Sequence, residues 1–176
     1  MIYKNRKIII TGLLVFITMV MIFAFSSQNA GNSDGLSKEI TRRLLRFYYY
    51  LTENMPLFFE DDLNELGTSS FFEDMNHYVR KAAHMLEFAF LGSTILIHIF
   101  FVWKEKAKVF SFIAGIEALF ISFLYACSDE FHQLFVPERG AQFKDVLIDS
   151  TGAFIGILFF FLIIKLHIRR RIVNGK

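Results

Sequence analysis

A single cysteine, Cys127, is all the chain carries, so no internal disulfide, zinc knuckle or CxxC redox pair can be built from it. Net charge is nearly absent as well. The 19 basic and 17 acidic residues leave a formal +2, too little to argue for nucleic acid, and the basic residues sit beside apolar runs instead of along a polar face. There is no internal repeat, no low-complexity linker, and no H-E-x-x-H or comparable short ligand spacing. The sequence therefore names no cofactor and leaves a metal requirement open. Apolar surface, by contrast, is abundant. Hydrophobic residues fill 54% of the 176 positions and 23 residues are Phe, more than the core of a soluble domain this size needs, so much of that surface must face lipid.

Four apolar runs carry this excess, at about 8–25, 82–102, 109–127 and 146–166, each near the roughly 20 residues that a bilayer core of about 30 Å requires. The first run follows Lys4, Arg6 and Lys7, as a signal peptide would. It is longer than the roughly 7–15 residues of a signal core and ends in Phe25-Ser26-Ser27-Gln28, a poor cleavage site, so a retained helix is expected. The expectation is one all-α membrane domain over 1–176 with four transmembrane helices. Lys and Arg concentrate on cytoplasmic flanks. Lys4, Arg6 and Lys7 before the first run, Lys104, Lys106 and Lys108 between the second and third, and Lys165, Arg169, Arg170, Arg171 and Lys176 after the fourth thus predict a multi-pass cell-membrane protein with both termini cytoplasmic. Segments 26–79 and 128–145 are then expected outside.

The outer segment 26–79 has structure of its own. Leu36, Ile40, Leu44, Phe47, Tyr48 and Leu51 share a face at helical spacing, while Lys38, Arg42 and Arg46 point away. This predicts an extracytoplasmic amphipathic helix lying flat on the bilayer surface. Pro56 opens an acidic, aromatic stretch with Phe58, Phe59, Asp61, Asp62 and Glu65, closed by Gly67-Thr68-Ser69. Ser70 and Glu73 then form an S-x-x-E capping box for a helix expected to run on into the second span.

With the spans oriented, nearly every ionisable group bordering an apolar run falls at an outer helix end. Ser26, Ser27 and Gln28 close the first span, and Arg80, Lys81, His84 and Glu87 open the second. Asp129, Glu130, His132 and Gln133 follow the third, and Arg139, Lys144, Asp145 and Asp149 lead into the fourth. Arg80, His84, Glu87 and Leu91 share one helix face, as do Asp145, Asp149, Gly152 and Gly156. The two glycines form a G-x-x-x-G that lets a neighbouring helix come close, which would hold the carboxylates between helices. A charge near the bilayer centre costs on the order of 2.5–3.5 kcal/mol even on the forgiving insertion scale, and Glu87 and Asp149 lie one to two turns inside their runs.

Such a cluster suits several roles. Arg80, Glu87, Asp129 and Asp149 would serve as ion pairs that fix packing, with Lys81 and Lys144 snorkelling to head groups. A His among carboxylates also suits a divalent metal. Cations beside a His–Asp pair suit an anionic head group, with His84 or His132 as acid or base and Arg80 and Arg139 as clamps. Ser26 and Ser27 are expected to end their helix by local hydrogen bonds. Glu130 and Glu138 are expected as solvated loop charges, and His98 and His167, toward the cytoplasmic side, carry no special expectation. Glu117 breaks the pattern near the middle of the third span and is expected to face the bundle interior.

Four blocks in order, Phe25-Ser26-Ser27-Gln28, Arg80-Lys81-x-x-His84-x-x-Glu87, Ser128-Asp129-Glu130-x-His132-Gln133, and Pro137-x-Arg139 followed by Asp145-x-x-x-Asp149-x-x-Gly152-x-x-x-Gly156, resemble the VanZ family. That family takes its name from association with resistance to the lipoglycopeptide teicoplanin. The chain departs from it in having Glu138 where Gly often precedes the arginine, and Phe88 where an aromatic hydroxyl often follows the glutamate. The resemblance implies an envelope-facing membrane protein linked to glycopeptide susceptibility. Together with the polar cluster it leads to an outward-facing pocket that binds or modifies an anionic envelope lipid or a lipid-linked cell-wall component. In the enzymatic version His84 and His132 transfer protons, oriented by Asp129, Asp145 and Asp149. Ser26, Gln28, Arg80, Lys81, Glu87, Glu130, Gln133 and Arg139 line the binding site. Two other versions are a non-enzymatic site for a lipid, the antibiotic or a partner protein, and a purely structural ion-pair network.

Overall fold

The computed structural model describes residues 2–28, 30–51, 70–103, 108–137 and 139–173. The stretch that Pro56 opens, the linker lysines Lys104 and Lys106, Glu138 and Lys176 lie outside the described residues. Within them the regular structure is five helices and no strand: α1 (Ile2–Ser26), α2 (Ala30–Leu51), α3 (Ser70–Val102), α4 (Lys108–Gln133) and α5 (Phe143–Val173). Four contain a segment long and apolar enough to cross a membrane, namely Asn5–Ser26, Ser70–Val102, Phe112–Gln133 and Phe143–Ile163. A backbone in lipid must satisfy its own hydrogen bonds, and a helix does so within one segment.

The helices outrun the apolar runs at the polar end. α3 begins at Ser70, as the capping signal predicts, and at 33 residues it measures roughly 50 Å by helical rise, so its first turns stand clear of a hydrocarbon core of about 30 Å. α4 continues through Gln133, which puts Asp129, Glu130, His132 and Gln133 on a helix packed against its neighbours.

α3 is the central element. It packs most extensively on α5 and also touches α1, α2 and α4. Phe88, Leu91, Ile95 and Leu96 on α3 meet Ile22, Ala118 and Ala153 in the core. The α3–α5 seam is as close as the G-x-x-x-G predicts. A Cβ built at Gly152 would fall on the Met85 carbonyl and one at Gly156 on the Ala89 carbonyl, while from the α3 side a Cβ at Gly92 would lie 2.7 Å from the Ala153 carbonyl. At the end far from the polar cluster, His98 Nδ1 lies 3.0 Å from Thr11 Oγ1, a hydrogen bond that ties α3 to α1. Near mid-bundle the Tyr125 hydroxyl donates to the Met19 carbonyl at 2.6 Å, tying α4 to α1. The outward faces are apolar: Phe16, Phe112 and Phe159 are all highly exposed, as lipid-facing residues would be.

α2 meets the bundle through a narrow strip, Ser37, Thr41 and Leu45, all buried. An ion pair of 2.8 Å joins Lys38 to Glu73 in the first turn of α3, and the Arg42 guanidinium stands over the Phe72 ring. Leu36, Ile40, Leu44, Phe47, Tyr48 and Leu51 remain exposed, so the apolar face recognised in the sequence is not the face spent on packing against α3.

Candidate functional site

The early turns of α3, the end of α4, the connection after it and the start of α5 surround a cavity of about 200 Å³ at one end of the bundle. Its wall includes His77, Arg80, Lys81 and His84 from α3, Glu130 and Gln133 from α4, Arg139 and Gln142 from the connection, and Asp145 and Asp149 from α5. The α3 contribution follows from helical geometry. Residues 77, 80, 81 and 84 are spaced i, i+3, i+4, i+7 and so share one face. The α5 contribution follows equally, since Asp145 and Asp149 continue the glycine face that presses onto α3.

Below the rim the polar groups are buried. Asp129 is 2% exposed, and its Oδ2 accepts from the Ser26 hydroxyl at 2.9 Å and from the Gln133 side-chain amide at 3.2 Å. The same amide lies 3.2 Å from the Ser26 oxygen, so three residues from α1 and α4 form one network. Ser26 does more than end its helix. Among the described residues, the buried Asp129 Oδ1 has no hydrogen-bond partner. Lys81 pairs with Asp145 between α3 and α5, and His84 Nδ1 is 3.9 Å from Glu87 Oε2, one turn further into the bundle. One ligand-type atom each from His84, Asp129 and Asp149 lies within 4.8 Å of the other two. Three helices thus aim a nitrogen and two carboxylates at one point.

Glu130 departs from its expected place. It is 5% exposed, and its Oε2 accepts the backbone N–H of Gln142 at 2.8 Å. The physical reason is the longer α4. Position 130 lies on a helix face turned toward the connection, where an otherwise unpaired backbone donor needs an acceptor. Arg139, in that connection, is held below its ordinary pKa first by burial and then by the like charge of Arg80, with Asp129 and Glu130 opposing. Two guanidinium groups are thus crowded at the rim.

Not every expected residue joins the cavity. His132 turns toward α1 and packs on the Phe23 ring with centroids 4.3 Å apart; it is not on the cavity wall, and its buried Nδ1 has no partner among the described residues. Gln28 is half-buried in the turn after α1, and Ser27 bonds back to the Phe23 carbonyl at 2.6 Å. Lys144 is exposed. Glu117 is half-buried on α4, three turns from Asp129 and apart from the cluster. His167 lies outside the residues whose side chains are described. Conversely, the sequence reading did not single out His77, Gln142 or Tyr125. His77 was readable, because it sits three residues before Arg80 on the same face. Gln142 contributes through its backbone, to which side-chain patterns are blind.

The sequence model of the VanZ/LLP1 family matches residues 11–165 of the chain. That range takes in most of the first apolar span, the other three spans and every residue of the cavity wall. No curated protein and no solved structure matches the chain.

Proposed function

The chain belongs to the VanZ/LLP1 family, and from that premise we propose that its helix-end cavity opens on the non-cytoplasmic side of the cell membrane and binds the anionic head group of an envelope lipid or lipid-linked cell-wall component. One observation carries the reading. Arg80, Lys81 and Arg139 line a single cavity together with His84. Two guanidinium forks in one wall offer planar sets of hydrogen-bond donors that suit phosphate or carboxylate oxygens. The resemblance that links the family name to teicoplanin gives the expected consequence, a change at the envelope surface that lowers the action of an acylated glycopeptide.

In the enzymatic version His84, on the cavity wall 3.9 Å from Glu87, moves a proton when no ion holds its nitrogen. The test is mass spectrometry of envelope lipids and cell-wall precursors from matched cells carrying wild type, His84→Ala or Asp145→Asn at equal membrane abundance. A species that changes with wild type and reverts in the variants is the expected result. Unchanged teicoplanin resistance in both variants would sink this version. A non-enzymatic reading is favoured by a separate observation, the exposed apolar face of α2 beside the cavity-bearing helix. Under it, lipid profiles are identical across the variants while resistance still depends on the protein.

A further inference from the structure

Carboxylates crowd together at the polar end of the bundle. Glu87, Asp129, Glu130 and Asp145 all act electrostatically on Asp149, so four carboxylates bear on a fifth. Among the described residues, the cavity wall carries the permanent cations Arg80, Lys81 and Arg139, and Lys81 is already engaged by Asp145. The deepest of these carboxylates are Asp129 and Asp149, each 2% exposed, where water is least able to help and a bare charge is most costly.

We propose that His84, Asp129 and Asp149 bind one divalent cation. Two independent features point to it. The three groups come from α3, α4 and α5 and present ligand atoms within 4.8 Å of one another. Asp129, meanwhile, uses Oδ2 for Ser26 and Gln133 and leaves the buried Oδ1 with no donor among the described residues. At metal–ligand distances of about 2.1 Å, ligands on opposite sides of an ion stand roughly 4.2 Å apart, so side-chain motion of less than about an ångström closes the set. Ser26 and Gln133, by holding the other oxygen of Asp129, act as the outer hydrogen bonds that orient a ligating carboxylate. One imidazole with two carboxylates suits Zn²⁺ or Mn²⁺ better than a thiolate-seeking ion or an all-oxygen Ca²⁺ cage. His84 and Asp149 also form part of the cavity wall, so the remaining coordination positions face the cavity, as they do in sites that bind a further ligand.

The test needs no lipid, so it stands or falls separately from the head-group reading. Full-length protein in detergent, stripped with chelator, is titrated with Mn²⁺ while free Mn²⁺ is followed by electron paramagnetic resonance, and Zn²⁺ is added as competitor. The expected result is about one Zn²⁺-competed site per chain, weakened at least tenfold in Asp129→Asn and in Asp149→Asn. Nuclear magnetic resonance of labelled histidines should show Mn²⁺ broadening His84 more than His98, across the bundle. Should the aspartate variants not fold, His84→Gln and the histidine spectrum decide. Absence of binding by wild type, affinity indifferent to the substitutions, or a His84 signal that Mn²⁺ leaves sharp would each overturn the proposal.

Discussion

Removing the Ser26 hydroxyl would take a donor from a carboxylate that water barely reaches. Ser26 is fully buried and Asp129 nearly so. Leaving a buried charged acceptor short of a donor costs roughly 1–3 kcal/mol, but interhelical hydrogen bonds in membranes average only about 0.6 kcal/mol, and Gln133 remains as a second donor. Ser26→Ala is therefore expected to destabilise by about 1 kcal/mol. Ser27→Ala, whose exposed hydroxyl bonds only to its own helix, should be nearly neutral. Thermal unfolding of both variants in one detergent checks this, and equal melting points would show that the Ser26–Asp129 bond contributes nothing. The pairing itself was not readable from the chain, because 103 residues separate its members. Sequence order marks Ser26 and Asp129 as polar residues at two helix ends, but only the packing of α1 on α4 brings them together.

At the scale of the helix, the glycines of α5 make the sharpest expectation. A side chain at Gly152 or Gly156 would meet α3 backbone, which cannot turn aside as a flexible side chain can. Gly156→Leu should separate α3 from α5 at a cost of about 1–3 kcal/mol, the usual range for overpacking. Gly140→Leu, with open space around its position, should melt like wild type. If both variants melt alike, the seam is not a close contact. This seam was legible because small residues four apart mark one helix face whatever the partner. The sorting of aromatic residues was not legible, since Phe faces both lipid and core. Phe88 is fully buried and Phe90 is 55% exposed within one apolar run, so hydrophobicity alone cannot say which side of α3 faces the bundle.

α2 carries a related expectation. Its buried strip of Ser37, Thr41 and Leu45 would have been read as a weak packing face beside the stronger stripe of Leu36, Ile40 and Phe47. The structure spends the weak face on α3 and leaves the strong one exposed, an arrangement that makes sense for a helix with one side on protein and the other on lipid. The substitutions Leu36→Ser, Ile40→Ser and Phe47→Ser together should leave the melting temperature of the bundle in detergent within about 2 °C of wild type, since each side chain lies on the exposed side of α2, away from the strip packed on α3. The same triple variant should lower teicoplanin resistance several-fold if α2 works as a contact surface. A variant that melts well below wild type would instead make that face part of the fold.

For the molecule as a whole, everything said of envelope ligands depends on which way the bundle points, and the fold itself is indifferent to that. Its polar end gathers Ser26, Arg80, Asp129 and Asp149 whichever compartment it faces. Direction rests on the flanking lysines and arginines, which track the cytoplasm because their transfer across the membrane is opposed. The chain suits a direct test, because Cys127 is its one cysteine and Cys127→Ala leaves a clean background. In that background Ser27→Cys and Gly140→Cys, both at exposed positions of the cavity end, should react in intact cells with a maleimide that cannot cross the membrane. Trp103→Cys, exposed at the opposite end, should react only after the cells are opened. The reverse pattern would turn the cavity toward the cytoplasm and exclude outer-leaflet head groups and extracellular glycopeptides as its ligands. The cation site would be untouched by that outcome, because the convergence of His84, Asp129 and Asp149 belongs to the fold and not to its orientation.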